Sequence, residues 1–172
     1  CGHTNSVTCV AVLDPDNLVT GSLDSKVIMW QKNAAHEWHI HQTLGDTEDA
    51  DFEHRHAGAI REIVTCGIDK LVTVSSDYTA IIWQKNDEGI WEFSQRLGII
   101  SNTNPEFGHI GHVLTVDIIS DDTLVTGSTD CTAIIWHKGF DGIWHMQQSL
   151  GFINNNHSQL GHVGAIRSVL KI

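Results

Sequence analysis

Short apolar runs separated by turn residues recur along the whole chain. Residues 7–13 (Val-Thr-Cys-Val-Ala-Val-Leu), 60–64 and 113–119 read as strands of about six residues. Each runs into residues that tolerate turn geometry, at 14–17, 66–69 and 120–122. A second strand spans 18–22, and a tight turn holding Asp24 follows it. The third strand, 27–30 with its echoes at 80–83 and 133–136, is apolar without alternation, which predicts that both its faces are covered. A Gly- or Asn-bearing hairpin loop then leads to a fourth strand opening at Trp38, Trp91 or Trp144. That strand alternates, Trp38 and Ile40 against His39 and His41, as an outer edge strand with one buried side should. Eleven residues, 45–55, connect it to the next unit, and no stretch shows the 3.6-residue period of a helix.

The pattern is one phrase written three times. Leu18-Val-Thr-Gly-Ser-Leu-Asp24 returns as Leu71-Val-Thr-Val-Ser-Ser-Asp77 and as Leu124-Val-Thr-Gly-Ser-Thr-Asp130, and His3, His56, His109 and His162 keep the same step of 53 residues. Four antiparallel strands per repeat, the inner ones apolar on both sides, require repeats packed face to face. The expected fold is all-β, a β-propeller segment of four-stranded antiparallel blades. The units fall at 1–53, 54–106 and 107–159, and 160–172 supplies the first strand of a further blade, at 165–170. Propellers close with roughly four to eight blades. An open arc exposes the apolar faces of its terminal blades. The expectation is therefore a window on a longer array of about six to eight blades, with head-to-tail association and strand exchange as the alternative.

Charge narrows the partners. A formal net charge of −11 repels nucleic-acid phosphates and anionic lipid, so a protein partner is expected. No apolar run approaches the roughly 20 residues that cross a bilayer. The chain opens at Cys1 without Met, which reads as a processed or partial chain, a lipid-modified Cys1 being the alternative. Cys9, Cys66 and Cys131 occupy three different repeat positions, so no disulfide or metal plan recurs. Isolated cysteines suit a reducing compartment, the cytoplasm.

Gly2-His3, the Ser22-x-Asp24 pair and Trp30 resemble the WD-repeat pattern, three times in register and over nearly the whole chain. The resemblance implies a hydrogen-bonded chain of His, Ser or Thr, Asp and Trp inside each blade. By position the sets are His3, Ser22, Asp24, Trp30; His56, Ser75, Asp77, Trp83; and His109, Ser128, Asp130, Trp136. A buried carboxylate needs donors, and these groups can satisfy one another. The sequence departs from the family where Trp is followed by Gln31, Gln84 or His137 rather than Asp, where Arg55 replaces the Gly before His56, and in its long step.

Removing the period dissolves most candidate chemistry. The four stepped His are structural. His39 and His41 share a strand face, but their counterparts Glu92, Ser94, His145 and Gln147 show that the positions merely want polarity, and no zinc spacing supports a site. The acidic loop 46–53 lacks the Gly of a calcium loop and reads as a solvated acidic loop or a docking surface for a basic partner. Every Ser-Asp-His grouping is explained by the repeat, so no catalytic residue, cofactor or metal is expected. The resemblance implies a non-catalytic protein-interaction scaffold whose loop face includes the residue before each turn Asp: Leu23, Ser76 and Thr129. Asp49, Asp51, Arg61, His112 and Arg167 lie in or beside those loops and escape the shared pattern. The alternatives are a self-assembling ring or fibre, and an accessory propeller of a larger enzyme or signalling protein.

Overall fold

The computed structural model describes residues 2–45, 54–151 and 164–169. Among the described residues twelve strands build three sheets. The first holds β1 (Val7–Asp14), β2 (Asn17–Ser22), β3 (Val27–Lys32) and β4 (Trp38–Leu44). The second holds β5 (Ile60–Cys66), β6 (Lys70–Ser75), β7 (Ala80–Lys85) and β8 (Trp91–Leu97). The third holds β9 (Val113–Ser120), β10 (Thr123–Ser128), β11 (Ala133–Lys138) and β12 (Trp144–Leu150). Each sheet is an antiparallel meander, and the register repeats: Leu18 opposes Trp30, Leu71 opposes Trp83, Leu124 opposes Trp136. The third strands run two residues past the apolar run, because Gln31, Gln84 and His137 still pair with the fourth strand. One short 3-10 turn, Pro105–Phe107, sits in the loop after β8, where Asn104 accepts a hydrogen bond from the Glu106 amide.

Each hydrophobic core is a joint between two blades. Val19, Val27, Met29 and Leu44 of the first sheet pack with Ile60, Ile63, Leu71, Ile81, Trp83 and Trp91 of the second. Val72, Val74, Ala80, Ile82 and Leu97 pack with Val113, Val116, Leu124, Ile134, Trp136 and Trp144. Neighbours in one strand go to opposite joints: Leu71 and Ile81 face the preceding blade, Val72 and Ile82 the following one. The unbroken apolarity of the central strands thus comes from the two-residue period of a sheet covered on both sides. Close approach leaves little room. A Cβ on Gly21 would stand 2.5 Å from Ile60 Cγ2 across the joint.

The fourth strands depart from the simple alternation that their sequence suggests. The register slips between Met29 and Trp30, between Ile82 and Trp83 and between Ile135 and Trp136, so that Met29 pairs with Gln42 but Trp30 with Ile40. The residue left over is His41, Ser94 or Gln147, a β-bulge. Two residues of equal parity thereby face opposite ways. Trp91 faces the preceding blade, whereas Gln42 reaches the following one: its Nε2 donates to the Trp91 carbonyl at 2.7 Å and its Oε1 accepts from the Trp91 amide at 3.0 Å. Gln95 grips Trp144 in the same way, at 2.7 and 2.8 Å. This also corrects the expectation for Trp38. It is 42% exposed where Trp91 and Trp144 are 4% and 6% exposed, because among the described residues no blade precedes the first.

Residues 165–169 form no paired strand. The segment instead lies against the third blade, the Ile166 amide donating to the Ser128 carbonyl at 2.8 Å and the Val169 amide to Thr115 Oγ1 at 3.3 Å. Among the described residues no strand of its own sheet lies beside it, so its edge has no ladder to join.

Identical residues at identical repeat positions should therefore differ in stability. Trp91→Ala, which empties a joint, should cost about 3–5 kcal/mol, whereas Trp38→Ala should cost under about 1 kcal/mol. Urea unfolding at low protein concentration measures both. Equal losses would mean that the joints are not the cores.

Candidate functional site

The polar set inside each blade forms around a threonine that the sequence pattern did not single out. In the second blade, Trp83 Nε1 donates to Thr73 Oγ1 at 2.9 Å, Thr73 Oγ1 lies 2.8 Å from His56 Nε2, and His56 Nδ1 lies 2.9 Å from Asp77 Oδ2. Thr20 joins Trp30 and His3 in the first blade, and Thr126 joins Trp136 and His109 in the third. A carboxylate only accepts, so Nδ1 carries the hydrogen toward Asp. In the neutral ring Nε2 then accepts from the Thr hydroxyl, which itself accepts from the indole. The relay runs Trp to Thr to His to Asp.

Ser22, Ser75 and Ser128 lie outside that relay, which corrects their assignment to the hydrogen-bonded chain. The hydroxyl of Ser75 accepts from the Asp77 amide at 3.1 Å and donates to the Gly58 carbonyl at 2.9 Å. Ser22 does the same between Asp24 and the Asn5 carbonyl, and Ser128 accepts from the Asp130 amide. These serines close the turn after the second strand, and two of them tie it to the loop ahead of the first. The signal for the threonines was present, since Thr20, Thr73 and Thr126 keep the 53-residue step.

Each Asp is the knot of its loop. Asp77 accepts from the Ala57 and Thr79 amides and from Thr79 Oγ1 at 2.7 Å. Asp130 accepts from the Ile110 and Thr132 amides and from Thr132 Oγ1; Asp24 accepts from the Thr4 and Lys26 amides. Burial pushes each carboxyl toward the neutral form, and the donors outweigh it. Asp24 and Asp130 are lowered to about 2, and Asp77 is lowered as well. The residue after each Asp, Ser25, Tyr78 or Cys131, has φ near +70° (68°, 78° and 70°), a left-handed turn that these bonds hold in place.

That turn carries the candidate interaction residues. The amides of Leu23, Ser76 and Thr129 donate to the carbonyls of Ser6, Ala59 and His112, which fixes all three at one end of the blades. Arg61 and His112 converge on Ser76 from two different blades. Arg61 Nε donates to Ser76 Oγ at 2.6 Å, and His112 Nδ1 donates to the Ser76 carbonyl at 2.6 Å. The edge of the His112 ring meets Tyr78, a neighbour that the sequence reading missed, with centroids 5.4 Å apart. Leu23, His112, Thr129 and Arg167 are exposed, and Arg61 and Ser76 are half-buried. Arg167 follows Ile166, whose amide bonds the Ser128 carbonyl next to Thr129. Asp49, Asp51 and His162 lie outside the described residues. His39 and His41 are exposed on β4, with His41 at its bulge.

Three four-stranded meanders stacked face to face, each locked by the same polar relay, define β-propeller blades. The family model described as WD domain, G-beta repeat, matches residues 1–31 and 103–137. The chain also resembles the crystal structure of the WD40 beta propeller domain of Doa1, at 16% identity and a TM-score of 0.66. That match covers 97% of this chain, and the chain spans 45% of that structure. No curated protein sequence matches it. The three sheets have the fold of propeller blades, and the family model's match falls on the first and third of them. The second sheet, outside the family model's match, keeps the relay despite Arg55 and Val74 at positions that are Gly in its neighbours. WD-repeat propellers generally serve as protein-interaction scaffolds and are typically non-catalytic. Among the described residues no helix is long and apolar enough to cross a membrane.

Two outcomes follow for the relay. Thr73→Val should cost about 1–3 kcal/mol, because it strands a buried indole and a buried imidazole; denaturant unfolding reads it, and a neutral result would remove Thr73 from the relay. The Asp130 contribution is fully present above the unfolded carboxyl value, 3.8, and is lost as the pH falls through about 2. The penalty of Asp130→Asn should accordingly be larger at pH 7 than at pH 2.

Proposed function

We propose that this chain is a non-catalytic protein-interaction scaffold acting in the cytoplasm, with blades divided at 1–53, 54–106 and 107–159 and a further blade begun at 160–172. Its partner face is the end of the blades bearing Leu23, Arg61, Ser76, His112, Thr129 and Arg167, with Asp49 and Asp51 in the acidic loop. One observation carries this reading. Arg61 and His112, from different blades, meet at Ser76 and take no part in the Trp-Thr-His-Asp relay. A cationic group, an imidazole, a tyrosine ring and hydroxyls on a rigid turn make a surface able to hold a polar peptide segment. The net charge of −11 disfavours nucleic acid as the partner.

The test is quantitative capture from cells of origin by the wild-type chain and by an Arg61→Glu, His112→Ala double variant. Glu92→Ala on β8 serves as the control, and thermal melts confirm that all three fold. A bound protein retained by the wild type and the control but reduced at least about tenfold by the double variant is expected, the loss of roughly 1.4 kcal/mol or more. Identical capture profiles would remove this face.

A further inference from the structure

The joint between the first and second blades opens into a cleft of about 180 Å³ at the end opposite the interaction turns. Strand β2 runs from the 14–17 turn to Ser22 and keeps the two ends apart. At the far end the Lys32 amide donates to the Asp16 carbonyl, and the Lys85 amide to the Asp69 carbonyl. Each hairpin after the third strand therefore sits beside the first turn of its own blade. Asp14, Met29 and Gln31 of the first blade line the cleft together with Lys85, Glu88 and Trp91 of the second. Met29 and Trp91, 3% and 4% exposed, give it an apolar floor.

Two side chains in the cleft lack the partners that their counterparts have. Lys32 Nζ donates to the Pro15 carbonyl at 2.9 Å and stands 3.5 Å from Asp16 Oδ1. Among the described residues the half-buried Lys85 ammonium has no hydrogen bond, and no carboxylate lies within 4.0 Å of it. Gln84 Nε2 donates to the Asp69 carbonyl at 2.8 Å, whereas the Gln31 carboxamide makes no hydrogen bond among the described residues. On the facing wall Asp14 accepts from the Asp16 amide at 2.8 Å and from Asn17 Nδ2 at 3.0 Å. The bond from the Asp16 amide, helped by Asn17 and Lys85, holds the Asp14 carboxyl below the usual carboxylate range. Lys85 and Asp14 thus attract one another across the joint without closing to an ion pair.

We infer that this cleft binds a small zwitterion, a free α-amino acid with an apolar side chain. Its carboxylate takes the Lys85 ammonium and the Gln31 amide, its ammonium takes Asp14, and its side chain lies on Met29 and Trp91. The two signs of charge select the class. A plain anion would meet Asp14 and Glu88, and a plain cation would meet Lys85. A neutral apolar molecule would take water from these groups and give nothing back. A zwitterion serves both walls and leaves only Glu88, at the exposed rim, to solvent. The volume sets the size, since sites for drug-sized molecules run to roughly 300–1,000 Å³.

Titration of the isotope-labelled whole chain with leucine, acetate or methylammonium, followed by NMR, tests the inference. Leucine should bind with a Kd of about 1 mM or tighter, and acetate and methylammonium at least about tenfold more weakly. Lys85→Gln and Asp14→Asn should each weaken leucine by about tenfold, the factor that loss of one charge-assisted hydrogen bond produces. Lys138→Gln, at the counterpart position of the third blade, should leave it unchanged, and thermal melts show that each variant folds. No shift with leucine, or acetate binding as tightly as leucine, overturns the site. Equal affinities in Lys85→Gln and Lys138→Gln overturn it as well. Arg61→Glu should not alter leucine binding, so the cleft and the loop face stand or fall separately.

Discussion

Every feature of this molecule depends on a blade having two apolar faces. A four-stranded sheet with Leu71 and Ile81 on one side and Val72 and Ile82 on the other cannot exist alone in water. It becomes stable only between two neighbours, so the hydrophobic cores lie between units rather than within them. Stability in such an array is a sum over joints. The first blade shows the converse. Its inner strand exposes Val7 and Val10, whose counterparts Ile60, Ile63, Val113 and Val116 in the other two blades are core.

Since the joints use up the faces of the sheets, only the ends of the blades remain to differ. There the Trp-Thr-His-Asp relay does two things at once. It satisfies the polar groups that the packing buries, and it ties the turn after the second strand to the loop before the first. Desolvation opposes a charged Asp at this place, and the amides and hydroxyls around it win. The rigid turn that results holds Leu23, Ser76 and Thr129 at equivalent points while leaving their side chains free to vary. A conserved scaffold bearing three different residues in one geometry is how a repeat protein presents specificity without changing its fold.

Much of this was legible in the residues, and what was not has physical causes. The unbroken runs 27–30, 80–83 and 133–136 announced sheets covered on both sides, and the 53-residue step announced the blades. Thr20 and Ser22 were harder to separate. Both are hydroxyls that keep the step, and only the geometry shows that Thr reaches the indole while Ser closes the turn. The bulge at His41, Ser94 and Gln147 left no trace, because a slip of register has no composition of its own. Trp38 misled for a related reason: a repeat pattern describes the average blade, and the exposure of the first depends on what stands before it.

The bulge and the glutamine belong together. On an unbroken strand Trp38 and Gln42, or Trp91 and Gln95, would share a face, and one blade could not offer its tryptophan backward and its glutamine forward. One extra residue separates them. Each blade then has a distinguishable front and back, a polarity that apolar packing alone does not confer. The hydrogen bonds of Gln42 and Gln95 add little to the energy of joints built from tryptophan, leucine and isoleucine. Their effect is selective. A neighbour set one residue out of place would bury the same apolar area but leave a glutamine amide and a peptide group without partners. That penalty falls on the wrong arrangements and spares the right one, and it recurs at both described joints.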